Sequence, residues 1–194
     1  MNSETDQQLI LRSLQGHSQA FGELVMRYQD FVFTIVLRMV KIREEAEEIA
    51  QDTFIKAYER LDSFQGKPKF SSWLYSIAYR TALDSLRKQK KFQNSIAVEE
   101  MGAEGMEFVE NGLQKLMAKE RAAIIQACIM QLSETDAAII TFYYYEALSV
   151  KEISEITGDS LDNIKIKLYR SRKKLYTLLR PFVHNEHLTH GKAI

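Results

Sequence analysis

The side chains of this chain that could act on a ligand are cations, aromatic rings and carboxylates set at helical spacings. Together they suit the gripping of nucleic acid more than the breaking of bonds. From Leu161 to Arg180 there are seven Lys or Arg against one acid, Asp162, in a chain that balances 26 basic with 26 acidic residues. Asn163, Lys165, Lys167, Arg170 and Lys173 share one helical face, while Ile164, Leu168, Ser171, Leu175 and Leu178 form the opposite one. A basic stripe confined to one helix is the footprint of phosphate binding, although a solvated face has the same pattern. A second group is aromatic: Phe64, Phe70, Trp73, Tyr75 and Tyr79 precede Arg87, Lys88, Lys90 and Lys91. Rings beside cations suit single strands, because any base can stack on a ring while the cations hold the backbone. Core packing would use the same rings. The third group is acidic: Glu44, Glu45, Glu47, Glu48 and Asp52. A helix dipole welcomes acids in the first turn, but Glu48 and Asp52 repel each other at i, i+4. That leaves a basic partner or a solvated ridge.

Motifs for catalysis do not occur. There is no HExxH, no phosphate-cradling glycine loop and no nucleophile–base constellation in the sequence. No catalytic residue, metal or cofactor is expected. His184, His187 and His190 stand three apart, but without a Cys or carboxylate framework they do not make a metal site. Cys128 is the sole cysteine, which excludes an internal disulfide, and its apolar helical setting predicts a buried small hydrophobe.

The elements that must position these groups are helices. With 8 Gly and 2 Pro in 194 residues, breakers are few, and the composition favours an all-α protein. No apolar run reaches the length of a membrane span and the N-terminus lacks a signal pattern, so a cytoplasmic protein without membrane insertion is expected. Ser149 with Glu152 forms a capping box, Ile153 and Ile156 give the next helix an inward face, and Gly158 supplies a turn. Ser160 then caps the basic helix, giving a helix-turn-helix whose second helix would enter the major groove. Upstream, the spacing predicts a short helix from Ser3 to Gln15 and a longer one capped by Ser18. The apolar run Phe31–Leu37 within that longer helix demands covering neighbours. Further helices are expected over Arg43–Leu61 and, capped by Ser71 or Ser72, up to Lys91. From Phe92 to Gln114 there is no Lys or Arg, while five Glu accumulate among three Gly. This reads as a flexible acidic linker. A second helical block starts near Leu113. It holds a capping box at Ser133–Asp136, then a helix with Ala137, Ile140 and Tyr144 inward, and Pro181 as a stop. The expected domains are 1–91 and 115–183, joined by the linker 92–114 and followed by a tail over 184–194.

The order of these parts resembles the small two-domain sigma factors of bacterial RNA polymerase, the extracytoplasmic-function type. The residues that carry the resemblance are EEAEEIAQDTFIKAYERLDSF, FSSWLYSIAYRTALDSLRKQKK and LSETDAAIITFYYYEALSVKEISEITGDSLDNIKIKLYRSRKKL. The resemblance implies an initiation factor that binds core RNA polymerase through its β′ clamp and β flap, recognises promoter DNA and helps melt it without ATP. An anti-sigma factor is the regulator it implies. Glu48, Gln51, Asp52 and Phe54 would dock on the β′ coiled coil. Phe64, Phe70, Trp73, Tyr75, Tyr79, Arg80, Arg87 and Lys88 would capture the non-template strand of the minus-ten element. Ser160, Asn163, Lys165, Ile166, Lys167, Tyr169, Arg170 and Lys173 would read the minus-thirty-five element. Two positions depart from the family pattern: Tyr79-Arg80 where Arg-Asn is common, and Ile166 where Ser is common. An Ile packs on a thymine methyl but makes no hydrogen bond, so the promoter sequence does not carry over. The other functions that fit a helix-turn-helix are a duplex-binding repressor and a sigma-mimicking adaptor that binds a regulator without DNA.

Overall fold

The computed structural model describes residues 4–67, 69–93 and 113–189. Eight α-helices account for nearly all of them, with no strand among the described residues. They are α1 (Asp6–Leu14), α2 (Ser18–Val40), α3 (Arg43–Glu59), α4 (Phe70–Gln93), α5 (Leu113–Met130), α6 (Glu134–Tyr145), α7 (Val150–Thr157) and α8 (Leu161–Thr189); a 3-10 turn at Leu61–Ser63 follows α3.

Local signals account for most boundaries. Thr5, not Ser3, caps α1: its hydroxyl accepts from the Gln8 N–H while Gln8 reaches back to the Thr5 N–H. Ser18 is the first helical residue of α2 rather than its cap. Helix α3 ends at Glu59, and Leu61 is buried from the turn that follows. Helix α4 already starts at Phe70. Ser149 and Glu152 make the expected reciprocal cap of α7, and Gly158 closes that helix at φ 79°, where a side chain would be strained. Ser133 accepts from the Asp136 N–H at 3.3 Å at the start of α6. Pro181 does not stop α8, which runs on to Thr189. The expected linker lies largely outside the described residues, as does His190.

The first bundle is α1 to α4. Val32, Ile35, Val36 and Met39 of α2 meet Ala46, Ile49 and Ala57 of α3 and Leu74, Ala78 and Ala82 of α4, all buried. Helix α1 is pinned by Asp6, which accepts from both Arg27 and the Tyr28 hydroxyl. The second bundle is α5 to α8, with Ile129, Leu132, Ile153, Ile156, Ile164 and Leu168 inside. Cys128 is buried as expected, and desolvation raises its thiol pKa.

The two bundles share one core. Helix α6 packs on α2, and α7 packs on α4. Six consecutive residues of α6, Ala137 to Phe142, are therefore buried, on every side of the helix. This covers the apolar run of α2, which the sequence required. It also overturns the inward assignment of Tyr144, which is 55% exposed, while Phe142 is fully buried. A helix covered from two sides has no single inward face.

Candidate nucleic-acid interface

Helix α8 is backed by its own bundle. Ile164, Leu168 and Ser171 are buried, which turns Asn163, Lys165, Ile166, Tyr169, Arg170 and Lys173 to solvent. Tyr169 is 68% exposed and Ile166 is 46% exposed, so both present apolar surface on the same face as the cations. The cap hydroxyl of Ser160 accepts from the Asn163 N–H at 3.3 Å. Not all the basic residues are available to a ligand. Lys167 reaches back 2.6 Å to the Asp159 carboxylate in the turn, whose backbone carbonyl accepts from the Ser154 hydroxyl at 2.6 Å. Lys167 therefore ties α8 to the turn that joins it to α7. Arg172 stacks over Tyr143 and Tyr144 at 5.1 and 5.7 Å, and Lys174 donates to the Gln131 carbonyl at 2.8 Å. Lys165 meets Asp162 at 3.1 Å, but both are exposed, so water and phosphate compete easily. The free face is narrower than the count of cations, and consists of Lys165, Arg170 and Lys173 around Ile166 and Tyr169.

The aromatic group is divided. Phe64, Phe70 and Trp73 form one cluster, with centroids 5.4 to 5.7 Å apart. Phe64 and Trp73 are half-buried; Phe70 is buried against Tyr28 within its own bundle. Tyr75 and Tyr79 are buried by the other bundle as well. Phe142 of α6 lies 6.0 Å from Tyr75, 6.4 Å from Tyr79 and 6.3 Å from Phe31. In this arrangement neither tyrosine offers a ring to a base. Burial, then the Glu146 carboxylate bonded to its hydroxyl at 2.9 Å, raises the Tyr75 pKa. Burial, then Asp159, pushes Tyr79 up to about 12. Arg80, Arg87 and Lys88 are exposed. A cleft of about 420 Å³ runs between the bundles, lined by Arg60, Ser63, Ser72, Trp73, Ser76 and Arg80, with Glu155 and Ile156 of α7 as its far wall. Arg60, Ser63 and the two serines of α4 carry no sequence motif; only the tertiary fold brings them to Trp73.

The acidic helix faces outward. Glu48, Gln51 and Asp52 are exposed and Phe54 is half-buried. Grooves flank α3 on both sides. One of about 660 Å³ is lined by Glu48, Gln51, Asp52, Lys56, Arg87 and Lys88; one of about 320 Å³ includes Phe33, Arg43, Gln51 and Phe54. Asp52 and Lys56 stand 4.0 Å apart, and Arg43 meets Glu47 at 3.0 Å, which relieves part of the acidic repulsion. Among the described residues no His, Cys, Asp or Glu group could hold a metal, and no helix is long and apolar enough to cross a membrane.

Comparison with known proteins places both bundles. Residues 24–92 match the model of sigma-70 region 2, and residues 113–175 match that of sigma-70 region 4. The ECF RNA polymerase sigma factor SigW of Bacillus subtilis is 34% identical over 86% of this chain and 92% of its own. The RNA polymerase sigma-H factor of Pseudomonas aeruginosa is 29% identical over 94% of this chain and 98% of its own. Among solved structures, the sigma factor RpoE of Bartonella quintana, in complex with the anti-sigma factor NepR, has the same fold. Its TM-score is 0.63, with 20% identity over 82% of this chain and 96% of that one.

Proposed function

We infer the function from one premise: the chain belongs to the extracytoplasmic-function sigma factors of bacterial RNA polymerase. It binds core polymerase, directs it to promoters and is under the control of an anti-sigma factor. The single observation that carries this is the pairing of the two sigma-70 regions, in order, on one short chain. We further propose that it is not an enzyme and works in the cytoplasm. Its contribution to melting is mass action: binding of the unpaired strand offsets the cost of unstacking, a few kcal/mol.

The division of labour proposed for the residues follows their exposure. Glu48, Gln51, Asp52 and Phe54 of α3 form the polymerase-docking surface, where carboxylates beside grooves suit a basic helical partner. Trp73, Arg80, Arg87 and Lys88 of α4, with Phe64, form the surface for the unpaired strand. Asn163, Lys165, Ile166, Tyr169, Arg170 and Lys173 of α8 read the upstream duplex, and Lys167 holds the motif together.

Run-off transcription with core polymerase tests the function. Promoter-specific transcript is expected; duplex binding without any transcript would instead describe a repressor, and neither activity would describe an adaptor. Asp52→Lys should weaken binding to core polymerase with native circular dichroism, and unchanged affinity would remove α3 from the docking surface.

A further inference from the structure

We propose that the duplex-binding surface of α8 continues past the helix-turn-helix, where Tyr176 and Arg180 bind phosphates along the rim of the major groove. This rests on the reading of duplex DNA by α8 proposed above and adds to it a phosphate site that no sequence motif marks.

The bundle behind α8 sorts the seven cations between Leu161 and Arg180. Three are held. Lys167 reaches Asp159, Arg172 lies over Tyr143 and Tyr144, and Lys174 donates to the Gln131 carbonyl. Lys165 meets the exposed Asp162. Among the described residues, no hydrogen bond, ion pair or ring contact engages the side chains of Arg170, Lys173 or Arg180, and all three are exposed. Ile166, Tyr169, Lys173, Tyr176 and Arg180 follow one another at steps of three and four residues, which sets them on one stripe of the helix. Tyr176 is 71% exposed. From Asn163 to Phe182 there is no Asp or Glu, so the whole stripe suits a polyanion.

The far part of this stripe is rigidly carried. Leu175, Leu178 and Leu179 are half-buried on the opposite side of the helix, α5 packs against α8, and Lys174 is anchored at the end of α5. Tyr176 and Arg180 therefore stand at a fixed distance from the reading residues. Both lie outside residues 113–175, the part that matches sigma-70 region 4.

That distance selects the ligand. At a rise of about 1.5 Å per residue, Tyr176 and Arg180 lie about 15 and about 21 Å along the axis from Ile166. The major groove is about 12 Å wide and about 8.5 Å deep. With Ile166 at the base edges, a straight helix has left the groove floor before it reaches Tyr176. What it meets there is the line of phosphates at the groove edge. A tyrosine hydroxyl donates to a phosphate oxygen, and a guanidinium pairs with its charge. Such contacts fix how the helix sits and carry no sequence information.

The test uses the full chain assembled with core polymerase, on a promoter template selected for transcription by the wild-type holoenzyme. Promoter affinity is measured from about 50 to about 200 mM salt, where each lost phosphate contact flattens the slope of log K against log salt by about 0.9. Arg180→Ala should flatten it by that amount, so its affinity deficit should shrink about 3.5-fold across the range. Tyr176→Phe removes only the hydroxyl; it should weaken binding by about two- to tenfold and keep the wild-type slope. Neither variant should change the ranking of templates with single base changes in the upstream element. Both side chains are exposed, and an unchanged urea midpoint confirms folding. A wild-type slope in Arg180→Ala, or wild-type affinity in Tyr176→Phe, overturns the proposal. So does an altered template ranking, which would make these residues base readers. Weaker binding of core polymerase in the absence of DNA overturns it too, by giving the stripe to the enzyme. A wild-type chain that directs no promoter-specific transcript is a different failure, that of the function itself.

Discussion

Helices α4 and α8 both set cations beside rings, but they stand on different foundations. The inner face of α8 is satisfied by its own bundle, through Ile164, Leu168 and Ser171, so its outer face is free whatever the other bundle does. The ring face of α4 is satisfied in part by Phe142 and α7, which belong to the other half of the chain. A surface backed within its own domain is available at all times. A surface that lends its rings to a neighbour is available only when the neighbour leaves.

The comparison can be broken most strongly at Phe142. Phe142→Ala should destabilise the chain by about 3–5 kcal/mol, read as a lowered urea midpoint. Tyr169→Ala, on the open face of α8, should move stability by no more than about 0.5 kcal/mol. Similar losses from both would mean that the two surfaces are not built differently. Next in size is recognition. Arg170→Ala should weaken use of a cognate promoter by about 1–3 kcal/mol, and equal transcription from a template with a scrambled upstream element would remove α8 as the reader.

Arg38 sharpens the comparison further. Arg38→Met keeps much of the volume and drops a buried charge that the described residues meet only with neutral groups, and exchanges of buried ionic groups for hydrophobes run from neutral to stabilising by about 1–4 kcal/mol. The expected result, at the low end, is tighter packing of the two bundles: Trp73, the sole tryptophan, should become less accessible to a neutral quencher. Greater quenching would show that Arg38 holds the bundles together instead of loosening them.

The smallest effect is set by pH. Tyr79 is raised from 10.0 to about 12 by burial first and then by Asp159, with Asp136 adding to the shift and Arg87 opposing it. Because the folded value lies above the unfolded one, the stabilisation it reports is complete below pH 10 and is lost as pH rises through about 12. Alkaline titration followed by small-angle scattering should show expansion in that window, and the expansion should shrink in Tyr79→Phe.

Much of the molecule was legible in the chain because it depends on neighbours three or four residues apart. The Ser149–Glu152 box, the turn at Gly158, the apolar stripe of α8 and the division into two helical blocks are properties of short segments, and they stand as expected. Lys167 shows the limit of such spacing. It shares a helical face with Lys165 and Arg170, but its ammonium group returns to Asp159, a distinction that periodicity cannot draw.

What the sequence determined by itself, then, is the set of helices, the caps of the second bundle at Ser133, Ser149 and Ser160, and the one face of α8 that its own bundle leaves free. Only the tertiary structure decided which rings of α4 are hidden, that Phe142 and not Tyr144 goes inside, and that Arg38 is buried against Gln126, Thr141 and Tyr145. The physical reason is distance along the chain. Those outcomes depend on contacts between residues some 60 to 110 positions apart, such as Tyr75 with Phe142 and Arg38 with Thr141 and Tyr145, where no local period carries information about which surface will arrive.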